Sequence, residues 1–277
     1  MTRNNVTPKQ KHGKKLSHAE ADRLARTRQS IEMRKAQEAK EARAHNITIA
    51  VVLIAALVTV CVVVGMLWND SKKSATPSNI KLPAYIADSH GVTISGNGIN
   101  KPQDGKPKID LYYDYTCIHC NELEDSIGDQ LLKAADEGKI NLTLKPVITT
   151  SAGAPYGIYA AGAAMQIAAE QPDKFQAFHV AAFKKFEEAA NGNQQILIDD
   201  KQAQDTVTQV AKSVGISDEL IKKFDAGFAR TTMENWTKKW GDSGIVAKDQ
   251  YGTPMLVRDG KKVDGKTFPE VLQNALK

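Results

Sequence analysis

Residues 109–120 read IDLYYDYTCIHC, an apolar and aromatic run that ends in two cysteines. The apolar part, 109–113, predicts a strand. A helix should follow over about 117–137, with Gly138 ending it, and the alternation over 140–147 predicts the next strand. Because a strand, a helix and a strand follow one another, we expect a parallel strand pair with a crossover helix.

The flanking segments predict a sheet interrupted by helices. Residues 155–240 are mostly helical in pattern, whereas the chain end returns to strands. Predicted strands cover 92–94, 253–257 and 262–263, and a closing helix covers about 268–276. We therefore expect a helical insertion at about 153–243 between two halves of one sheet.

Apolar side chains recur at helical spacing inside the predicted insertion, at Phe175, Phe178, Ala182, Phe183 and Phe186. This spacing favours a stripe that faces the core. His179 lies beside the stripe and is expected to be structural. Trp236 and Trp240 are four positions apart, so we expect both to pack from one helix face.

The first part of the chain predicts a membrane anchor. Residues 47–68 contain no charge and no proline, and as a helix they would reach roughly 33 Å, enough for a hydrocarbon core of about 30 Å. A cleaved signal peptide is the alternative, but its apolar region is normally shorter and is followed by a small-residue cleavage site. Cys61 is expected to be an apolar member of the span.

Charge gives the orientation of this span. Residues 1–46 hold twelve Lys or Arg and five Asp or Glu, a net of +7 within a total of +5, so the remainder carries 5 − 7 = −2. The basic tail predicts a cytoplasmic N-terminus and an extracytoplasmic domain. We expect a tail at 1–46, a linker at 69–89 and a domain at 90–277. The slightly acidic domain lacks the basic stripe of a nucleic-acid binder.

The pair Cys117 and Cys120 has two possible roles, as half of a zinc site or as a redox pair. Zinc needs four ligands, and His90 and His179, the other histidines outside the motif after the membrane segment, are not at ligand spacing. We predict no metal and no cofactor.

The position of the pair favours redox chemistry. Cys117 would lie at a helix start, where unpaired N–H groups and the helix dipole stabilise a thiolate. A charged His119 would act in the same direction, and its alternative is a solvent-facing helix residue. Cys120 should be the buried partner of a redox-active disulfide.

The stretch 112–120, YYDYTCIHC, resembles the active-site turn of the DsbA-like thiol–disulfide oxidoreductases. Residues 175–183 resemble a helix of that family's inserted helical domain, and 252–257, GTPMLV, look like its cis-proline loop and following strand. The likeness covers about 91–277. It implies an α/β thioredoxin-like fold with an inserted helical domain, here in a bacterial member with one N-terminal transmembrane helix.

The resemblance also implies roles for individual residues. Thr253–Pro254 would be a cis peptide beside the cysteines, and Thr253, Pro254 and Ile118 would contact substrate. Ile118 stands where the family usually has proline. Leu111 stands where many relatives have an acidic residue that relays protons, so no such relay is predicted there.

Three functions fit these residues. The first is an extracytoplasmic oxidase that introduces disulfides into cysteine-containing exported proteins and is reoxidised by a membrane redox partner, as the resemblance implies. The second is a reductase or isomerase that uses Cys117 and Cys120 in the opposite direction. The third is a thioredoxin-like binding or chaperone module without turnover.

Overall fold

The computed structural model describes residues 80–149 and 153–277. The basic tail, the membrane helix predicted at 47–68 and most of the predicted linker lie outside these residues. No helix within the described ranges is long and apolar enough to cross a membrane.

Six strands and ten α-helices make up the described fold. The strands are β1 (Val92–Ser95), β2 (Gly98–Ile99), β3 (Lys108–Tyr113), β4 (Asn141–Pro146), β5 (Met255–Arg258) and β6 (Lys261–Lys262). The helices are α1 (Ala84–Ser89), α2 (Ile118–Leu123), α3 (Asp129–Asp136), α4 (Pro155–Glu170), α5 (Phe175–Asn191), α6 (Gln195–Ile198), α7 (Asp200–Ser213), α8 (Asp218–Ile221), α9 (Ala226–Gly241) and α10 (Phe268–Leu276).

The strands form one mixed sheet in the order β2-β1-β4-β3-β5-β6. β3 and β4 are parallel, as predicted, and the other neighbouring pairs are antiparallel. β3 alternates between two cores: Ile109, Leu111 and Tyr113 face the large one, and Tyr112 faces a smaller one with Trp240. This alternation places a packed layer on each side of β3.

The crossover helix contains a π turn that the sequence analysis did not predict. α2 and α3 are joined by the π turn Glu124–Gly128, whereas a continuous helix was expected. Gly128 permits this arrangement, since a Cβ there would meet the Glu124 carboxyl carbon at 2.6 Å. The turn lets Glu124 fold back over the backbone, and Gly138 ends the helical stretch with a positive φ of 68°.

The helices α4 to α9 lie between β4 and β5 in the chain, within the range predicted for the insertion. The predicted stripe is confirmed, because all five of its residues are buried: Phe175, Phe178, Ala182, Phe183 and Phe186. Trp236 and Trp240 are buried as well, as expected of packing residues.

The predicted linker ends earlier than residue 89. Residues 84–89 form the helix α1, and Ile86 is fully buried in the large core. Burial of one isoleucine side chain is worth about 1.5–3 kcal/mol, which offsets part of the backbone entropy lost in ordering the six residues, about 1–2 kcal/mol each. The Ser89 hydroxyl donates to the Tyr85 carbonyl at 2.8 Å and so closes the helix.

The packing of α4 on α9 predicts an effect on stability. A Cβ at Gly162 would overlap the Cβ of Ala229, so Gly162→Ala should lower the free energy of unfolding by about 1–3 kcal/mol despite the better helix propensity of alanine. Denaturation of the full chain, followed by tryptophan fluorescence, measures the change.

Gly241→Ala is the matched control, because Gly241 ends α9 and a Cβ there meets nothing within 4 Å. We expect this variant to be as stable as the parent or slightly more stable. Equal stability of the Gly162→Ala and Gly241→Ala variants would contradict the packing described here.

Candidate active site

Cys117 lies where β3 gives way to the helical stretch that begins at Ile118. It is the N-cap of α2, with an extended backbone at φ −94° and ψ 118°. Its carbonyl accepts the N–H groups of Cys120 and Asn121, both at 3.1 Å, and its own N–H donates to the Asp114 carbonyl at 3.0 Å. Both cysteines are therefore held in the first turn of a helix.

The cis-proline loop reaches the same point from the other strand. β5 pairs with β3 so that Met255 lies opposite Tyr112, which brings the residues before β5 next to those after β3. Thr253–Pro254 is a cis peptide, as the resemblance implies. Sγ of Cys117 is 3.4 Å from the Thr253 carbonyl oxygen, which accepts the thiol proton when Cys117 is protonated. The loop and the first cysteine are thus in direct contact.

The two sulfurs have opposite electrostatic environments. A hydrogen bond from the Cys120 thiol lowers the pKa of Cys117 to about 6, and hydrogen bonds from Thr253 and from the Cys120 backbone add to this against the effect of burial. Burial raises the pKa of Cys120 well above its ordinary value, and Cys117 raises it further. At pH 7 Cys117 is therefore about 90% thiolate and Cys120 is a thiol.

His119 lies at the surface beside these sulfurs. Its Nδ1 is 2.8 Å from a Glu122 carboxylate oxygen, and 74% of the side chain is exposed. The hydrogen bond with Glu122 and the charge of Glu122 raise the pKa of His119, and the Cys117 thiolate adds a smaller effect in the same direction. These interactions shift the pKa of His119 upward, the direction that favours a cationic ring.

An open groove runs from His119 along the cis-proline loop. It has a volume of about 550 Å³ and is bounded on one side by the loop between β6 and α10. Its lining includes Leu123, Thr253, Pro254, Met255, Val263 and Phe268. Ile118 does not line this groove, and 63% of the residue is exposed to solvent.

A polar cluster that the sequence analysis did not foresee is buried under the site. The Tyr115 hydroxyl and His179 Nδ1 are 2.9 Å apart, and His179 Nε2 is 3.7 Å from a Glu124 oxygen. His179 is 1% exposed and packs against Phe175 and Phe183, which fits the structural role predicted for it. The sequence analysis did not identify Glu124 as a buried partner of His179, because it did not predict the π turn that contains Glu124.

Asp114 is a second residue that the sequence analysis missed. It is 5% exposed, and its carboxylate accepts hydrogen bonds from Thr116 and from Thr149, which follows β4. A charged residue inside an aromatic run, three positions before Cys117, is the signal that could have marked it.

Metal ligands do not gather around these residues. Within 80–149 and 153–277 no group of three or more His, Cys, Asp or Glu side chains could hold a metal ion. Cys117 and Cys120 are free thiols in this structure, so it represents the reduced pair.

Residues 102–277 match the family model described as Thioredoxin, which is more than half of the chain. The chain belongs to the thioredoxin family. A search of curated protein sequences finds no match.

Solved structures place this thioredoxin-family chain among thiol–disulfide oxidoreductases. The MdbA thiol–disulfide oxidoreductase of Actinomyces oris is 26% identical, with a TM-score of 0.51 over 66% of this chain and 85% of that one. MdbA from Corynebacterium diphtheriae (23% identity, TM-score 0.51, 68% and 98% covered) and from Corynebacterium matruchotii (18%, 0.52, 69% and 96%) share the fold. The predicted DsbA-like membership is confirmed, and this thioredoxin-family chain is a protein thiol–disulfide oxidoreductase.

The unequal pKa values of the two sulfurs predict unequal reactivity in the reduced protein. Alkylation of Cys117 should rise with pH to half its maximum near pH 6, whereas Cys120 should stay unmodified across the neutral range. Mass spectrometry of the individual peptides at a series of pH values measures both rates.

The Cys120→Ala variant tests the cause of the lowered pKa of Cys117. Because the Cys120 thiol makes the largest contribution to the lowered pKa, the midpoint for Cys117 should move toward the ordinary value of about 8.5. Faster alkylation of Cys120 than of Cys117, or an unchanged midpoint in the variant, would contradict this assignment.

Proposed function

We propose that this oxidoreductase is an oxidase that introduces disulfides into exported proteins outside the cytoplasm. The observation that carries the proposal is the lowered pKa of Cys117, about 6, at the start of α2 beside the cis-proline loop, with the Cys120 thiol buried behind it. A stabilised thiolate favours the reduced pair. The disulfide form of the enzyme is therefore the reactive oxidant.

The size of this effect follows from the pKa of Cys117. A fall from about 8.5 to about 6 stabilises the reduced form at pH 7 by a factor of about 11, which corresponds to roughly 30 mV toward a more oxidising pair. Solvent screening near the surface makes this an upper bound. This shift of the reduction potential favours oxidation of substrates. It disfavours the alternative function, in which the same two sulfurs reduce substrate disulfides.

The exchange proceeds in two balanced steps. A substrate thiolate attacks Sγ of Cys117 in the Cys117–Cys120 disulfide, the bond between the two enzyme sulfurs breaks, and Cys120 leaves and takes up a proton. A second substrate thiolate then attacks the substrate sulfur of the mixed disulfide and expels the Cys117 thiolate, a good leaving group because its pKa is low. The substrate loses two electrons and the enzyme gains them.

The groove supplies a place for the substrate chain. Apolar side chains of Leu123, Met255 and Phe268 line it, and Thr253 stands between the groove and Cys117. Proline lacks an N–H, so the peptide group before Pro254 offers its carbonyl to an extended segment beside the reacting sulfur. A segment of this kind would place its cysteine against Cys117. Ile118, exposed at the helix start, would extend this contact on the outer side.

The location and the redox partner rest on the sequence. The uncharged run at 47–68 and the basic tail before it support a cytoplasmic N-terminus and an extracytoplasmic domain, where protein disulfides persist. Because each turnover leaves the enzyme reduced, an oxidase needs an acceptor for two electrons, and we propose a redox partner in the same membrane.

Catalysed oxidative folding tests the proposed function. The oxidised full-length protein should accelerate disulfide formation in a reduced, unfolded secreted protein, and Cys117→Ser should abolish the acceleration because it removes the attacked sulfur. Recovery of native substrate activity over time measures the rate.

The Cys120→Ala variant is the companion test. Its Cys117 thiolate should attack the disulfide of an oxidised substrate and expel the other substrate sulfur, and the resulting mixed disulfide should accumulate because no Cys120 thiol is present to displace the bound substrate. Trapped substrates can be identified after reduction. Acceleration by the Cys117→Ser variant equal to that of the parent would point to a binding or chaperone module and would refute the oxidase.

A further inference from the structure

The Asp114 carboxylate links three segments of the active site. One oxygen accepts the Thr116 N–H at 2.9 Å and the Thr116 hydroxyl at 2.7 Å, just before Cys117. The other accepts the Thr149 N–H at 2.9 Å, in the loop that leads from β4 toward α4. A Cβ added at Gly157 of α4 would lie 3.1 Å from the first oxygen, so this helix closes tightly over the carboxylate.

Thr149 continues this connection to the cis-proline loop. Its hydroxyl is 2.6 Å from the Thr253 hydroxyl and 3.4 Å from the second Asp114 oxygen. Thr253 in turn contacts the Cys117 sulfur through its carbonyl at 3.4 Å. A series of hydrogen-bonded groups therefore runs from Asp114 through Thr149 and Thr253 to the reacting sulfur.

The electrostatic effect of Asp114 does not explain its position. A carboxylate beside Cys117 raises the pKa of that thiol, which opposes the stabilisation of the thiolate. Thr253 acts in the opposite direction, because its hydrogen bond lowers the pKa of Cys117. The buried Asp114 carboxylate is electrostatically unfavourable for the Cys117 thiolate, but its several hydrogen bonds hold the surrounding loops in place.

We propose that Asp114 and Thr149 are positioning residues that hold Thr253 beside the Cys117 sulfur through the hydrogen bond between the Thr149 and Thr253 hydroxyls. Thr253 belongs to a loop that precedes β5, and the solvent-exposed Gly252 before it provides no packing. The hydroxyl of Thr149 supplies the fixed partner instead. The proposal rests on thiol–disulfide chemistry and not on its direction, so it holds for an oxidase and for a reductase alike.

The pH dependence of Cys117 alkylation in the reduced full-length protein tests this. Thr149→Val removes the hydroxyl and keeps the shape, so the pKa of Cys117 should rise by roughly half to one unit, the size expected for one hydrogen bond. Thr149→Ser keeps the hydroxyl and should match the parent. The charged and titratable groups that face Cys117, namely Cys120, His119 and Asp114, are the same in all three proteins.

A double-mutant cycle separates positioning from a general structural effect. In a Thr253→Val background, Thr149→Val should cause no further rise in the pKa of Cys117, because the hydroxyl that it positions is gone. An equal rise in both backgrounds would overturn the proposal, and so would an unchanged or lower pKa in the single Thr149→Val variant. Circular dichroism of each variant confirms that the fold is retained.

Discussion

The hydrogen bond from the buried Cys120 thiol to the Cys117 sulfur is the interaction on which the chemistry of this protein depends. It requires one sulfur to stay protonated and the other to be ionised, a few ångströms apart. Burial secures the first condition, because desolvation raises the pKa of Cys120. The hydrogen bond from Cys120 secures the second, and hydrogen bonds from the Thr253 side chain and the Cys120 backbone add to it. Because its pKa is the lower of the two, Cys117 is the better leaving group when a mixed disulfide is resolved.

The sheet and the helices place these groups. The pairing of β5 with β3 sets the cis-proline loop opposite Cys117, and the parallel pairing of β3 with β4 brings Thr149 to the same edge. The inserted helices cover this edge: α4 closes over Asp114 at Gly157, and α5 contributes His179 to the buried cluster. The inserted helices therefore pack against the active-site residues and also enlarge the core.

Much of this arrangement was predictable, because it depends on local patterns. Strand alternation gave the βαβ unit, helical spacing gave the stripe around Phe178, and the resemblance supplied the cis peptide at Pro254. The π turn at Glu124 and the hydrogen bonds of Thr149 were not predictable. Neither follows from hydrophobic periodicity: the π turn depends on local backbone packing at Gly128, and the Thr149 hydrogen bonds depend on a loop from another strand. The helix α1 was missed because its single buried residue, Ile86, leaves no periodic pattern.

The reduction potential of the Cys117–Cys120 pair, measured in glutathione buffers, shows whether the protein oxidises or reduces its substrates. An oxidase predicts a potential more oxidising than about −200 mV, in the range of enzymes that form disulfides, and the stabilised Cys117 thiolate contributes roughly 30 mV of this shift. In the reduced form the Cys120 thiol should stay protonated, because burial raises its pKa. A value of about −270 mV, typical of thioredoxins that reduce disulfides, would refute the oxidase.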